Sequence, residues 1–369
     1  MQTNKERIPK ILWIARDDGG CGYYRCQQPA AFIKRMGLAD TEVVLRTPTE
    51  QQMLSADLVI LQELGSVNSG KIVQFLLGNK IPYVAEFDDF IHHVSPHNTA
   101  GYPAWNPGTL YTYRAIEAAK SAFTIQVSTP QLAREFFPYN PTVYVIPNYL
   151  DKDQWDNPIV KRSDDKVRIG WMGGNAHGDD LKMISGVLHK LVKEYKGSVI
   201  IETMGMTKHE LEGVFPFQEF SATCPHCGYE GELHHAPGEA QNVYPTVVSS
   251  KGWDIALAPV IDNSFGNAKS DLKLKEYAAA SLPTVASAVI PYREAVDDGA
   301  RVVLARTFEE WYNGIKDLID HPEKRVEILK ANKEWVGRYW IQNNAQKTFE
   351  VYAQILTKAA IVFGKHSVI

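Results

Sequence analysis

Short apolar runs alternate along this chain with amphipathic stretches of helical period. In the first half, Lys10–Ala15, Glu42–Arg46, Asp57–Gln62, Tyr83–Phe87, Phe123–Val127 and Val143–Ile146 read as strands. Between them the spacing predicts helices over Gln27–Met36, Ser69–Leu77, Thr109–Ala119 and Pro130–Phe136, with Pro29 tolerable in a first turn. The pattern breaks at Pro147-Asn148-Tyr149-Leu150-Asp151 and stays polar through Asp165. A second series opens with strand Val167–Met172, helix Asp179–Glu194 and strand Ser198–Thr203. After an irregular stretch come strand Asp254–Pro259, helix Asp271–Ala280 and strands Pro283–Ala286 and Arg301–Leu304. Helices over Thr307–Leu318, Pro322–Val336 and Ile341–Phe363 close the chain. Strands alternating with helices imply parallel sheets covered on both faces. The length of 369 residues suits two such domains with a cleft between them.

Residues 254–287 hold the densest chemistry. A buried strand, the polar loop Asp262–Ser270, a helix and a second strand follow one another there. Ligands bind outside the carboxyl ends of strands in such units. Lys269, Lys273 and Glu276 can face that end, and cations suit phosphate as a carboxylate suits sugar hydroxyls. Of the three lysines within seven residues, Lys275 reads as plain surface.

This segment resembles the donor-binding segment of retaining GT-B glycosyltransferases of family GT4, which runs roughly E-x-F-G-x-x-x-x-E-A-x-A-x-G-x-P-V. Phe265-Gly266 is similar to the F-G pair, and Glu276-Tyr277-Ala278-Ala279-Ala280-Ser281-Leu282-Pro283 to the later half. Val145–Asp151 resembles the family's domain junction, and Ile169–Gly174 the strand and turn that open its second domain. The resemblance implies two Rossmann-like, doubly wound α/β domains. The first would span 1–148 and be completed by a terminal helix at about 341–369; the second would span 149–340. It implies a nucleotide-sugar donor, retention of configuration and no catalytic metal. Glu276 inherits the role of holding the ribose. Ala268 stands where the family's first glutamate would be, leaving Asp262, Asn263, Asn267 and Asp271 as nearby substitutes.

Other motifs fit around this frame. The glycines of Asp18–Arg25 let backbone amides approach an anion, which selects Gly20, Gly22 and Arg25. Gly173, Gly174 and Asn175, followed by His177, end a strand where phosphate amides would gather, and Lys269 is the best single phosphate partner. Asp88 and Asp89, with His92 after them, end a strand facing the cleft and are the acceptor-side picks. Cys224-Pro225-His226-Cys227-Gly228 has the form of a zinc knuckle, with His234 and His235 completing a ligand set in an insertion at about 215–243. Cys21 and Cys26 read as free thiols.

Composition narrows the classes. With 44% hydrophobic and 22% charged residues the chain reads as an ordinary globular protein. A net charge of −4 argues against bulk electrostatic attachment to nucleic acid. No apolar run approaches the ~20 residues of a membrane span, and the start is not a signal peptide, so the expected compartment is the cytoplasm. Partners would be a nucleotide sugar and a glycan, small-molecule or modified-DNA acceptor. Two alternatives stand beside glycosyl transfer in general. One is transfer to a hydroxylated base in viral DNA. The other is a sugar-nucleotide epimerase, hydrolase or non-catalytic binder.

Overall fold

The computed structural model describes residues 7–62, 64–94, 96, 98, 101–157, 164–206, 211, 214–215, 233–236 and 238–364. The first sheet contains β1 (Lys10–Ala15), β2 (Asp40–Leu45), β3 (Leu58–Leu61), β4 (Tyr83–Phe87), β5 (Thr124–Val127) and β6 (Val143–Val145). They lie in the order β2-β1-β3-β4-β5-β6, every pairing parallel. The second sheet contains β7 (Val167–Met172), β8 (Val199–Met204), β9 (Leu233–Ala236), β10 (Ile255–Ala258), β11 (Thr284–Ser287) and β12 (Val303–Ala305). Its order is β12-β11-β10-β7-β8-β9, again wholly parallel. Strands such as Leu58–Leu61 and Ile255–Ala258 are buried at every position, as expected where helices cover both faces.

Helices begin where capping residues permit. Thr109 and Thr129 accept the amides of Thr112 and Leu132, and Thr307 forms a full capping box with Glu310. The chain crosses between the sheets twice at one place, where Leu150 and Trp340 form a parallel bridge. The final helix, Ile341–Phe363, returns to the first sheet. Its Tyr352 hydroxyl donates to Gln126 at 2.8 Å, and its ring meets Trp13 edge-on at 5.8 Å.

Three local expectations are corrected. The glycine-rich stretch after β1 is helical: Gly20–Gly22 opens a turn that continues as a π-helix over Tyr23–Gln27 and an α-helix over Gln28–Arg35. Asp17 ties down the start of this turn, its Oδ1 accepting the amides of Gly19 and Gly22, both at 3.1 Å. Gly22 is required there, because a Cβ would stand 1.8 Å from the Asp17 carbonyl oxygen. Second, the expected loop Asp262–Ser270 contains the helix Ser264–Ala268, capped by Asn263 on the Gly266 amide at 2.8 Å. Third, the expected helix Asp179–Glu194 is two helices, Gly178–Lys182 and Ser185–Tyr195.

Candidate active site at the lobe junction

Both sheets reverse their strand order beside their first strand, at β1/β3 and at β7/β10. Crevices form outside the carboxyl ends of strands at such points. The two crevices face each other and enclose a cavity of about 390 Å³. From the first lobe it is lined by Gly20, Cys21, Tyr24, Arg25, Asp88 and Asp89. From the second come Gly173, Gly174, His177, Gly205, Gln241, Tyr244, Lys269, Lys273 and Glu276. Gly205 has a φ of +103°, and a Cβ there would stand 2.6 Å from the Gly173 carbonyl oxygen, so only glycine lets these two turns pack.

Lys273 carries the most informative charge. Its Nζ is buried without a hydrogen-bond partner among the described residues, 5.3 Å from the centre of the Trp171 ring. It reaches the cleft beside Gly173, where a Cβ would stand 3.4 Å from the ammonium. Burial pulls its pKa from 10.5 down to about 8, against the attraction of Asp180 and Glu276. Lys269 differs: burial would lower its pKa, but Asp89 and Asp180 hold it above the ordinary value. Its Nζ pairs across the cleft with Asp89 Oδ1 at 3.2 Å and lies 4.7 Å from the centre of the Phe265 ring.

Glu276, also buried, ties the lobes together. Tyr24 from the first lobe donates to Oε1 at 2.8 Å, and Tyr244 donates to Oε2 at 3.3 Å. Burial raises the Glu276 pKa from 4.5 to about 7 despite Tyr24, Lys273 and Tyr244. A raised carboxyl favours the fold while protonated, so this contribution is complete below pH 4.5 and is lost as the pH climbs through 7. The Glu276→Gln protein should therefore gain on the wild type by a few degrees in melting temperature between pH 5 and pH 8, the full displacement being worth roughly 3 kcal/mol. Melting curves of both proteins across that range test it. A constant gap would mean that the carboxyl titrates normally.

The acceptor-side residues separate. Asp88 and Asp89 reach the cavity. Burial would raise Asp88, but Arg16, whose Nη2 is 3.8 Å away, together with the Cys21 thiol and Arg25 hold it below the ordinary value. His92 does not line the cavity. It sits edge-on among Phe90, Phe136 and Tyr139 at 4.6 to 5.3 Å, with Nδ1 lacking a hydrogen-bond partner among the described residues. Burial and the neighbouring His93 lower its pKa to about 4.

Arg25 is not an open anion receptor. It is 3% exposed, and its Nε donates to Glu86 at 2.6 Å. Its Nη1 donates to the Ile146 carbonyl and to Asn148 Oδ1 at 2.7 and 2.9 Å. The Gly22 amide is engaged by Asp17 and the Gly173 amide by the Met204 carbonyl at 2.9 Å, so neither is available to a ligand. Asn175 lies in the turn after Gly174, with its side chain outside the described residues.

Lys275 is corrected outright. It is 1% exposed, paired with Asp271 at 2.7 Å, donating to the Asn148 carbonyl at 3.3 Å and lying 3.9 Å from the Tyr339 ring centre. Cys224 and Cys227 lie outside the described residues, as do the side chains of His234 and His235, whose backbone belongs to β9. Among the described residues no cluster of three or more His, Cys, Asp or Glu is placed to hold a metal ion, and no helix is long and apolar enough to cross a membrane. Cys21 and Cys26 are free, as expected. Tyr244 and Gln241 went unread in the sequence because the irregular stretch before them offers no periodicity. Asp180 did leave a signal, standing three residues after His177 at the start of a helix.

Solved structures with the same arrangement span nearly the whole chain. Sucrose-phosphate synthase from Thermosynechococcus elongatus is 13% identical and superposes with a TM-score of 0.70 over 95% of this chain and 100% of that one. The chain has the GT-B fold. HepE of Anabaena, solved with UDP and glucose, shares the fold at 13% identity and a TM-score of 0.66, over 93% of this chain and 99% of that one. The UDP-GlcNAc 2-epimerase of Neisseria meningitidis, bound to UDP-GlcNAc, is also similar: 11% identical, TM-score 0.55, covering 94% of this chain and 100% of that one. No protein-family model and no curated protein matches the sequence.

Proposed function

We propose that this GT-B chain transfers a sugar from a nucleotide-sugar donor to an acceptor hydroxyl, with retention of configuration. The observation that carries the reading is the buried Lys273 ammonium, without a hydrogen-bond partner among the described residues, at the carboxyl ends of β7 and β10. An isolated buried charge costs several kcal/mol, and an anionic ligand offsets that cost. A diphosphate fits two lysines that line the cleft wall, Lys269 in the extended link before the helix Leu272–Ala279 and Lys273 in its first turn, with Glu276 one turn further along that helix. Neighbours solved with UDP, UDP-glucose and UDP-GlcNAc support a donor of this class.

In this reading, residues 1–148 with the helix at about 341–369 form the acceptor unit and 149–340 the donor unit. Ribose hydroxyls take over Glu276 from Tyr24 and Tyr244. The diphosphate takes Lys269 from Asp89, which leaves Asp88 and Asp89 to orient the acceptor hydroxyl. Lys269 and Lys273 stabilise charge developing on the departing phosphate. Closure of the lobes keeps out water that would hydrolyse the donor.

A thermal-shift panel of UDP-, GDP-, ADP- and TDP-sugars tests donor binding, since a ligand at ~100 times its dissociation constant stabilises by about 2.7 kcal/mol. The bound donor is then incubated with hydroxylated acceptors, including DNA carrying hydroxymethylated bases. One glycoside product whose anomeric coupling matches that of the donor is expected. Donor epimerised or hydrolysed equally fast without acceptor would overturn the transferase reading in favour of the epimerase class.

A further inference from the structure

We propose that His177 is the donor-lobe group that recognises the transferred sugar, its Nε2 accepting a hydrogen bond from a sugar hydroxyl. This deepens the nucleotide-sugar reading above and rests on it. The residue ends the turn Asn175–His177 that follows β7, and it lines the cavity. Its Nδ1 lies 2.9 Å from Asp180 Oδ2. The other Asp180 oxygen accepts the Ile261 amide at 2.9 Å, which anchors the pair to the carboxyl end of β10.

This geometry fixes the tautomer. Burial would raise Asp180, but the His177 ring, the Ile261 amide and Lys269 hold its carboxyl below the ordinary value, so it is ionised and accepts only. Nδ1 therefore carries the proton, and Nε2 presents a lone pair. Burial and the nearby Lys273 and Lys269 ammoniums disfavour an imidazolium, and the ring's pKa falls to about 4. At neutral pH the ring is a fixed, uncharged acceptor beside the two cations assigned to the diphosphate. A sugar attached to that diphosphate brings hydroxyl donors to this place.

Elimination points the same way. The substitutes for the missing glutamate are engaged elsewhere. Asp262 accepts Asn267 Nδ2 at 2.6 Å, Asn263 caps Gly266, Asn267 Oδ1 accepts the Ile290 amide at 2.8 Å, and Asp271 pairs with Lys275. None of the four lines the main cavity. The annex beyond Lys269, walled by Asp179, Asp180, Asn263 and Phe265, has a volume of about 20 Å³, room for about one water. The sugar ring must therefore lie on the main side, where His177 is. Of the cavity's carboxylates, Glu276 is assigned above to the ribose and Asp88 and Asp89 to the acceptor hydroxyl, and Glu239 is exposed.

Titration calorimetry separates sugar recognition from phosphate binding. The nucleotide diphosphate and its sugar conjugate, chosen by the panel above, are titrated into the wild type and into His177→Ala, His177→Gln and Asp180→Asn. The alanine variant should bind the free diphosphate within about twofold of wild type and the conjugate about fivefold more weakly, a neutral hydrogen bond being worth about 1 kcal/mol. Glutamine, which keeps an acceptor, should recover most of that loss and also serves if alanine disturbs the turn. Asp180→Asn, which frees the ring to turn and change tautomer, should fall between. Equal losses for both ligands, or unchanged affinity for the conjugate, would overturn the assignment. A wild type that binds no nucleotide at all would remove the parent reading and this one with it, a result distinct from either.

Discussion

Replacing Lys273 by methionine should stabilise the unliganded protein and reduce its affinity for the donor at least a hundredfold. The two effects share one cause. The Nζ is buried and has no hydrogen-bond partner among the described residues, so the folded protein bears a desolvation cost that the attraction of Asp180 and Glu276 offsets only in part. Methionine fills a similar volume against Trp171 without that cost, and buried charges replaced by apolar groups commonly gain about 1–4 kcal/mol. In the complex the balance reverses, because the donor's phosphates lose a desolvated cation. Truncating one partner of such a pair costs about 2–5 kcal/mol, and a hundredfold in affinity is about 2.7 kcal/mol. The wild type should also show a pH signature. A bound diphosphate raises the lysine's pKa from its unliganded value of about 8, so affinity holds at neutral pH and weakens as the pH rises through 8. The variant should lack that dependence. Melting temperature with and without donor, and dissociation constants from pH 6.5 to 9.5, measure all three. A variant that is less stable and binds as the wild type does would remove Lys273 from the donor site.

Arg25→Met should cost about 3–5 kcal/mol of stability, because it strands Glu86 in the core. Arg25 and Glu86 have side-chain exposures of 2% and 0%, so water cannot replace the missing guanidinium. Burial already raises Glu86 from 4.5 to about 7 with Arg25 in place. Without the cation the carboxyl should fold only when protonated, so the deficit should be largest above pH 7 and shrink in mild acid. The pair is imperfect even in the wild type, since Arg25 Nη2 and Glu86 Oε2 lack partners among the described residues. The double variant Arg25→Met, Glu86→Leu should therefore recover most of the loss. Urea midpoints of the single and double variants at pH 6 and 8 decide it. A single variant as stable as the wild type, with weakened donor affinity, would return Arg25 to the role of anion receptor.

The contrast between these two cations shows how much of the site could be read from the sequence. Lys269, Lys273 and Glu276 were legible because they cluster within eight residues just after a strand that apolar spacing identifies, the last two one turn apart on a helix. Arg25 stands in a stretch of glycines that suggests an anion loop. Only the fold brings Glu86 to it across 61 positions. Lys275 read as surface because lysines usually are, yet Asp271, Tyr339 and Asn148 enclose it. His92 read as a cleft residue from its place after the aspartates, and aromatic packing turns it away.

The sequence by itself determined most of the elements and their parallel arrangement, though not the helices Glu50–Ser55, Tyr244–Ser250 and Ile290–Asp297 or the strand Leu233–Ala236. Tyr83–Phe87, Val167–Met172, Pro130–Phe136 and Ile341–Phe363 were bounded by local runs, caps and breakers that act over a few residues. Tertiary structure alone decided which polar groups meet: Tyr24 with Glu276 across 252 positions, and Lys269 with Asp89 across 180. Secondary structure follows from interactions within a turn or a pleat, which leave a period in the chain. A hydrogen bond between lobes is set by how two sheets and their crossing segments pack, and it leaves none.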